Sequence, residues 1–450
     1  MKGFADNWRD SRFSNPLHSF PYMRRRIAVL LALTLGLSLL VAGRKRDKDP
    51  VFGQIHAIVD SLANISGMTA EHPVPYDMIS KRQLRRFLNK RIKKTLRPED
   101  IRADEIALKM FGLVPQNFDL KKSTVDLLTE QAAAFYDYDE KKLFLLQGAS
   151  LSEETTTLAH ELAHALADQH YDLEKYMDED PSDDDENLAH TAVVEGQASW
   201  LMLAYDLAAA GQNPVPTPDM LKSLEQSEGD DSGADFPVLK SSPLYIQQSL
   251  LFPYTEGTRF FDAVYRKLGK RAFADVFVHA PVSSSQILHP ERYLAHEKPL
   301  VPKLPDVPAG GDREVSEGSM GEFDHRMLLW QYLGIDLANR LAPHLRGAQF
   351  RVTADDSGKH PVLEYVCLWD SEKNAAAYFD AYKKILKGKW KHCRPMTDSD
   401  TVFAGDGDTG YFLSHLTGER MLSIEGMAEP VTLASLRVRS TGRKRALHRA

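Results

Sequence analysis

The stretch that decides the fold is His160-Glu-Leu-Ala-His164, which lies within residues 155–200. Residues four apart on a helix lie one turn apart on nearly the same side, so His160 and His164 would present two imidazoles to one point. Glu161 would lie on the same rim of this helix. Two imidazoles beside a carboxylate are typical of a zinc site in which the carboxylate takes a proton from a metal-bound water.

The residues around this pair fit one amphipathic helix. Leu158, Leu162 and Leu166 recur every four residues on roughly the side opposite the histidines, which gives the helix one stripe for the core. Asp168 follows His164 by one turn on the same face. A carboxylate in that position could hold the second N–H of the imidazole and fix its tautomer. The sequence therefore predicts a helix that lies between the core and a cleft.

A third ligand has to come from elsewhere, because a catalytic zinc usually takes three protein ligands and leaves one position for water. After an acidic loop over residues 178–186, residues 187–200 read as a second helix that carries Glu195, the preferred third ligand. Its neighbours at i−3, i+3 and i+4 are small and would allow a close approach to the first helix: Ala192, Ala198 and Ser199. Two nearby residues are alternatives as the third ligand: Glu186 and His190.

These motifs together resemble a known group of enzymes. An HExxH helix followed about thirty residues later by a second helix with a glutamate resembles the gluzincin group of zinc metallopeptidases. More narrowly, His160-Glu-Leu-Ala-His-Ala-Leu-Ala-Asp-Gln169 and Glu195-Gly-Gln-Ala198 are similar to motifs of a largely uncharacterised bacterial and archaeal family of gluzincin-like proteins. Phe135-Tyr-Asp137 and Ser285-Gln-Ile-Leu-His-Pro-Glu291 also match that family, so the resemblance spans roughly residues 130–295.

The resemblance implies a zinc-dependent metallopeptidase that hydrolyses peptide bonds in a peptide or protein substrate. The implied ligands of Zn²⁺ are His160, His164 and Glu195. Glu161 would act as general base on a metal-activated water, without a covalent intermediate. A thermolysin-like enzyme has Asn before the ligand glutamate and Asp four residues after it, whereas this chain has Val194 and Ser199 in those positions.

Two further features bear on the expected reaction. Amide hydrolysis at zinc also needs a donor for the developing oxyanion, and Tyr254 and His289 are the candidates, although each could instead be structural. Residues 131–147 read as two short strands around the polar turn Asp139–Lys142. Such a hairpin edges the cleft of a gluzincin and could pair with an extended peptide, or it could only pack under the first helix.

Two other classes of function remain open from the sequence. One is a zinc-containing protein of the cell envelope that binds or scaffolds without proteolysis, and the other is a membrane-associated structural protein without metal. The net charge of −7 and the dispersed basic residues favour no nucleic-acid partner. The only cysteines, Cys367 and Cys393, could form one disulfide or remain free thiols.

The segment 23–43 carries Arg24-Arg-Arg26 followed by 17 uncharged residues. It reads as an export signal that ends in the small residues Val41-Ala-Gly43, or as a retained membrane anchor over residues 27–43. The protein is therefore expected in the periplasm, outside the cell or at the membrane. Residues 1–22 would be an N-terminal extension, and Met23 is an alternative start.

A length of 450 residues with 43% hydrophobic residues allows two or three domains. We expect a predominantly helical α+β protein. A zincin-like helical domain with its hairpin would cover residues 50–298, and a linker would follow over 299–320. A helix with a strand-helix-strand domain would cover residues 321–430, and a basic tail would cover 431–450. Residues 211–243 read as a long surface loop or lid. Residues 79–95 read as a helix whose basic face is either solvated or in contact with anionic lipid.

Overall fold

The computed structural model describes residues 54–147, 151–178, 184–226, 236–306, 313–355, 359–430, 432 and 437–438. The fold is α+β with 57% helix and 20% strand, so the predicted class is confirmed. The expected extension 1–22, the expected signal or anchor 23–43 and most of the expected tail 431–450 lie outside the described residues. Within the described residues no helix combines the length and the apolar composition needed to span a membrane.

Helices dominate the chain before residue 300. Their bounds are α1 Ile55–Ser66, α2 Lys81–Thr95, α3 Pro98–Phe111, α4 Leu120–Gln131, α5 Leu151–Tyr171, α6 Leu173–Asp178, α7 Asp184–Ala209, α8 Pro218–Gln226, α9 Pro237–Ser241, α10 Leu244–Leu268, α11 Ala272–Val278, α12 Ser284–Leu288 and α13 Pro290–Leu294. The two predicted motif helices are α5 and α7. The expected loop over residues 211–243 instead contains α8 and α9, and its residues 227–235 lie outside the described part of the chain.

Helix α7 lies at the centre of the helical part. Residues 187–201 are all buried, and a helix that is buried on every side has neighbours all round. Its closest neighbour is α10, because a Cβ atom added to Gly196 would lie 2.1 Å from the backbone carbon of Gly257. A Cβ on Gly257 would in turn lie 2.3 Å from the carbonyl oxygen of Ala192. The small face of α7 therefore admits α10 at Ala192 and Gly196, rather than serving only the approach of α5.

We expect Gly196→Ala to lower the free energy of unfolding by about 1–3 kcal/mol, because the added methyl group meets backbone that cannot move aside without separating α7 from α10. Chemical denaturation followed by circular dichroism measures this change. The control is Ala209→Gly at the exposed end of α7, which should cost no more than about 1 kcal/mol of helix propensity. Equal effects of the two substitutions would contradict the proposed tight crossing.

The predicted hairpin is confirmed as β2 Ala134–Asp137 and β3 Lys142–Leu146. A further strand, β1 Tyr76–Ile79, pairs parallel with β3, so β3 is the central strand and β2 lies at one edge. Side chains alternate across the sheet: Tyr136 joins the main core on the side of α5, whereas Phe135 joins a second core with Leu84 and Leu88 of α2. The hairpin is thus packed between α5 and α2.

The C-terminal part is a seven-stranded antiparallel sheet. Its strands are β5 Arg313–Ser319, β6 Leu345–Ala354, β7 Val362–Trp369, β8 Cys393–Asp398, β9 Val402–Gly407, β10 Gly410–Thr417 and β11 Arg420–Met427, in the order β5-β6-β7-β11-β10-β9-β8. Helices α14 Glu322–Leu333, α15 Ile335–Leu341 and α16 Glu372–Lys389 share its core. A small antiparallel pair, β4 Pro305–Asp306 and β12 Arg437–Val438, lies outside this sheet.

Two of these strands correct the sequence interpretation. Residues 313–319, expected within the linker 299–320, form the edge strand β5, and residues 393–398 form the opposite edge strand β8. Cys367 and Cys393 are both free, so the expected alternative of a disulfide is wrong. Cys367 is buried in β7, where desolvation raises the pKa of its thiol to about 12.

A buried histidine ties α14 to this sheet. His325 Nδ1 donates to the carbonyl oxygen of Gly321 at 2.8 Å, and its Nε2 accepts from the hydroxyl of Tyr365. Desolvation lowers the pKa of His325 from 6.5 to about 4, and the bond to Gly321 only partly opposes this. The imidazole is therefore neutral in the folded protein at neutral pH.

This shift predicts a pH dependence of stability. Between pH 6.5 and 4 His325 is protonated in the unfolded chain but stays neutral in the folded chain. The free energy of unfolding therefore falls by about 3 kcal/mol as the pH drops through this range. Urea unfolding at both pH values should show this loss in the natural protein and not in His325→Gln, which has no titrating group there. A parallel loss in both proteins would contradict the assignment.

Candidate metal centre

The side chains of His160, His164 and Glu195 meet in the interior between α5 and α7. Glu195 Oε2 lies 3.2 Å from His160 Nε2 and 3.3 Å from His164 Nε2, and the two Nε2 atoms are 3.0 Å apart. All three residues are buried. Within the described residues this is the one group of three or more His, Cys, Asp or Glu side chains whose ligand atoms converge in this way.

The geometry and the donor types fit a metal ion. An ion with tetrahedral bonds of 2.0–2.2 Å holds its ligand atoms roughly 3.3–3.6 Å apart. The observed separations of 3.0–3.3 Å are close to this range, so only small side-chain shifts are needed to admit an ion. Two imidazole nitrogens and one carboxylate leave a tetrahedral position open. The buried group could therefore hold a metal ion.

Electrostatics keep the third donor charged. Burial alone would raise the pKa of Glu195, but the Coulombic attraction and hydrogen bonds of His164 and His160 outweigh it and hold that pKa below its usual range. Glu195 is thus an anion at neutral pH, as a metal ligand must be. Neither alternative third ligand joins this group. His190 instead stacks on Tyr176, with ring centroids 4.7 Å apart, and Glu186 lies in the first turn of α7.

Glu161 is held beside the cluster by the hairpin. Its Oε2 accepts the backbone N–H of Tyr136 at 2.8 Å. Its Oε1 is buried and has no hydrogen-bond partner among the described residues. Burial raises the pKa of Glu161 to about 7, and the negative charge of Glu195 adds to this, while His160 and the Tyr136 N–H oppose it. A carboxylate with a free oxygen and a pKa near neutrality suits a general base.

Asp168 does not contact His164, which corrects the expected tautomer-fixing role. Its carboxylate accepts the hydroxyl of Tyr136, the ammonium of Lys141 and the backbone N–H of Leu173, each at 2.8 Å. His164 Nδ1 is buried and has no hydrogen-bond partner within the described residues. Asp168 therefore fastens the hairpin to α5 and leaves the imidazole orientation to packing.

Of the two expected oxyanion donors, Tyr254 reaches the site. Its ring lies 6.0 Å from that of His160, and burial together with the charges of Glu195 and Glu161 raises its pKa well above 10. Its hydroxyl therefore keeps its proton, and it forms a hydrogen bond with the Glu195 carboxylate. Tyr254 lies one turn before Gly257 on α10, and Gly257 is the point of tight contact with α7. This contact brings Tyr254 close to the ligand-bearing part of α7.

His289, the other expected donor, belongs to a different cluster. Its Nε2 lies 2.8 Å from Glu322 Oε1, and Glu322 also pairs with Arg292 at 3.1 Å. These contacts join α13 to the start of α14, which is a structural role.

The sequence interpretation missed Tyr138. This residue follows β2, and its ring lies 6.1 Å from that of His164 and 5.8 Å from that of Tyr136. Burial and the charges of Glu195 and Glu161 raise the pKa of Tyr138 well above 10, so it too is a neutral donor. The alternation of side chains along a strand could have indicated it, because Tyr138 lies two residues after Tyr136 and so continues the strand face toward α5.

Comparison with models of known protein families, with curated proteins and with solved structures finds no match to this chain.

Proposed function

We propose that the protein is a zinc-dependent metallopeptidase of the gluzincin type, exported or anchored at the membrane, that hydrolyses peptide bonds in peptide or protein substrates. The observation that carries this proposal is the contact of one Glu195 oxygen with both imidazoles, 35 and 31 residues away in sequence, beside a carboxylate with a free oxygen. The sequence resemblance to gluzincins supports the same assignment.

The donor set suits zinc. Two neutral imidazoles and one carboxylate are a common ligand set of catalytic zinc, whereas calcium and magnesium prefer oxygen ligands alone. When bound, zinc supplies Lewis acidity that polarises a carbonyl group and makes water more acidic. His160, His164 and Glu195 would hold it. A divalent cation at this point would also lower the pKa of Glu161, which favours the carboxylate that the reaction needs.

The remaining residues act on protons and on developing charge. Glu161 takes the proton of the attacking water on its free Oε1 and later delivers it to the leaving amine, while Oε2 stays on the Tyr136 N–H. Tyr254 and Tyr138 lie against different imidazoles, and the hydroxyl of each can donate a hydrogen bond to the oxygen of the scissile carbonyl as negative charge develops there.

The test has two measurements on the full chain purified without an affinity tag. Elemental analysis should find about one zinc per chain, and a mixed peptide library should be cleaved and then protected when a chelator removes the metal. Zinc without cleavage of any peptide would overturn the peptidase assignment and favour a zinc-containing binding or scaffold protein. Cleavage that survives complete metal removal would overturn the zinc mechanism.

A further inference from the structure

The outer face of α2 carries four cations that the proposed reaction does not use. We call them the basic stripe: Arg82, Arg86, Lys90 and Lys93. All four side chains are exposed. Their spacing places them within about 80° of one another around the helix and along about 16 Å of its axis. They line a shallow surface concavity together with Arg85 and Asn89.

The basic stripe has no acidic partner within the described residues, in contrast to Arg85, Arg91 and Lys94 of the same helix. Arg85 pairs with Asp126 at 2.5 Å, while Arg91 and Lys94 pair with Asp139 at 2.7 and 2.6 Å. These pairs join α2 to α4 and to the hairpin. The stripe contributes no such contact, and its like charges repel one another. Holding the helix in place therefore does not explain it.

The helix presents this surface in a preformed state. Ser80 and Gln83 form a capping box at its start, and its opposite face buries Leu84, Leu88 and Ile92. A partner that binds the stripe would not have to order the helix first, which removes part of the usual cost of association.

We infer that the basic stripe docks the protein on an anionic lipid surface. Each Lys or Arg near such a surface strengthens binding, and the stripe offers four on one face. The sequence supplies a second contact, because the uncharged run 27–43 lies between Arg24-Arg-Arg26 and Arg44-Lys-Arg46. A single modest membrane contact becomes a stable one when a polybasic patch is added. This inference goes beyond the proposed reaction and does not rest on it.

Charge elsewhere favours lipid over nucleic acid. The whole chain has a net charge of −7, and Asp77, Asp126 and Asp139 lie on the elements that flank α2. Binding to a duplex depends on an extended basic footprint over several phosphates. A stripe confined to one helix and bordered by carboxylates suits the plane of lipid headgroups better.

The experiment measures how the full chain partitions onto two kinds of vesicle, one of phosphatidylcholine and one of equimolar phosphatidylcholine and phosphatidylglycerol. The readout is the ratio of the two partition coefficients, since insertion of the apolar run contributes to both. Replacing all four stripe residues by Gln should lower this ratio by about fivefold per residue, and so by several hundredfold in total. Added salt should lower the ratio for the natural chain in the same direction.

A matched variant controls for net charge. It replaces four exposed cations of α16, β8 and the short connection between them that also lack an acidic partner within the described residues: Lys373, Lys384, Lys391 and Arg394, each changed to Gln. We expect it to keep the ratio of the natural chain. An unchanged ratio in the stripe variant, or an equal loss in both variants, would overturn the inference. Tighter binding to duplex DNA than to the anionic vesicles would overturn the choice of lipid.

Discussion

Replacing Glu161 by Gln is expected to leave zinc bound and to lower kcat by about a hundredfold to ten-thousandfold. The amide keeps the size of the side chain and its acceptor for the Tyr136 N–H, so the hairpin contact survives. It cannot take up a proton at neutral pH, so the attacking water keeps both of its own. The measurements are the zinc content and the kcat of the variant on the peptide cleaved fastest by the natural protein.

The control for this variant is Asp206→Asn. Burial also raises the pKa of the Asp206 carboxyl. Asp206 lies near the C-terminal end of α7, however, where it contacts Thr156 of α5. It should keep its activity within a few-fold, because the contact that it alters is with Thr156 and involves none of the residues of the metal cluster. If Glu161→Gln kept full turnover, Glu161 would not be the base, and the proposed mechanism would be rejected.

The second large effect is expected from Glu195→Gln. The neutral amide removes the anion that both imidazoles face, so zinc affinity should fall by more than about a hundredfold, beyond the range seen when a mere outer partner of a ligand is changed. Zinc that saturates the natural protein at a hundred times its Kd adds about 2.7 kcal/mol to the free energy of unfolding. The variant should lose this zinc-dependent gain, which thermal unfolding with and without zinc will measure.

Glu186→Gln is the matched comparison, because Glu186 was an alternative third ligand and lies in the first turn of the same helix. It should bind zinc as the natural protein does. The reverse result, with zinc lost in Glu186→Gln and kept in Glu195→Gln, would show that the ligand set of the folded protein differs from the group described above.

The sequence predicted the convergence of the site well, because helical geometry fixes where His160 and His164 point. It also predicted the second motif helix, the hairpin and the α+β class. The prediction that Asp168 would hold the imidazole of His164 was wrong for a physical reason. A helical wheel shows which residues share a face, but it cannot show that Tyr136 and Lys141 come from a distant hairpin to take the carboxylate.

The strands that the sequence analysis missed are the two edges of the large sheet. β5 reads Arg-Glu-Val-Ser-Glu-Gly-Ser and β8 reads Cys-Arg-Pro-Met-Thr-Asp, and neither shows a clear alternation of apolar residues. An edge strand buries less of its surface than a central one, and a proline is tolerated there because one side needs no ladder hydrogen bonds. The strands β7 and β11 in the middle of the sheet are buried almost throughout, and they fall within the strand-helix-strand domain that the sequence predicts.

Tyr136 fastens the hairpin to α5 at two points, through its backbone N–H to Glu161 and through its hydroxyl to Asp168. Successive side chains of a strand point to opposite faces, so a slip of β2 by a single residue would bring Phe135 or Asp137 to this position and break the hydroxyl contact while it turned the amide away. An insertion or deletion within β2 should therefore be removed by selection more strongly than one in the turn after Tyr138, which would cost the contacts of Asp139 and Lys141 but could preserve the strand alignment.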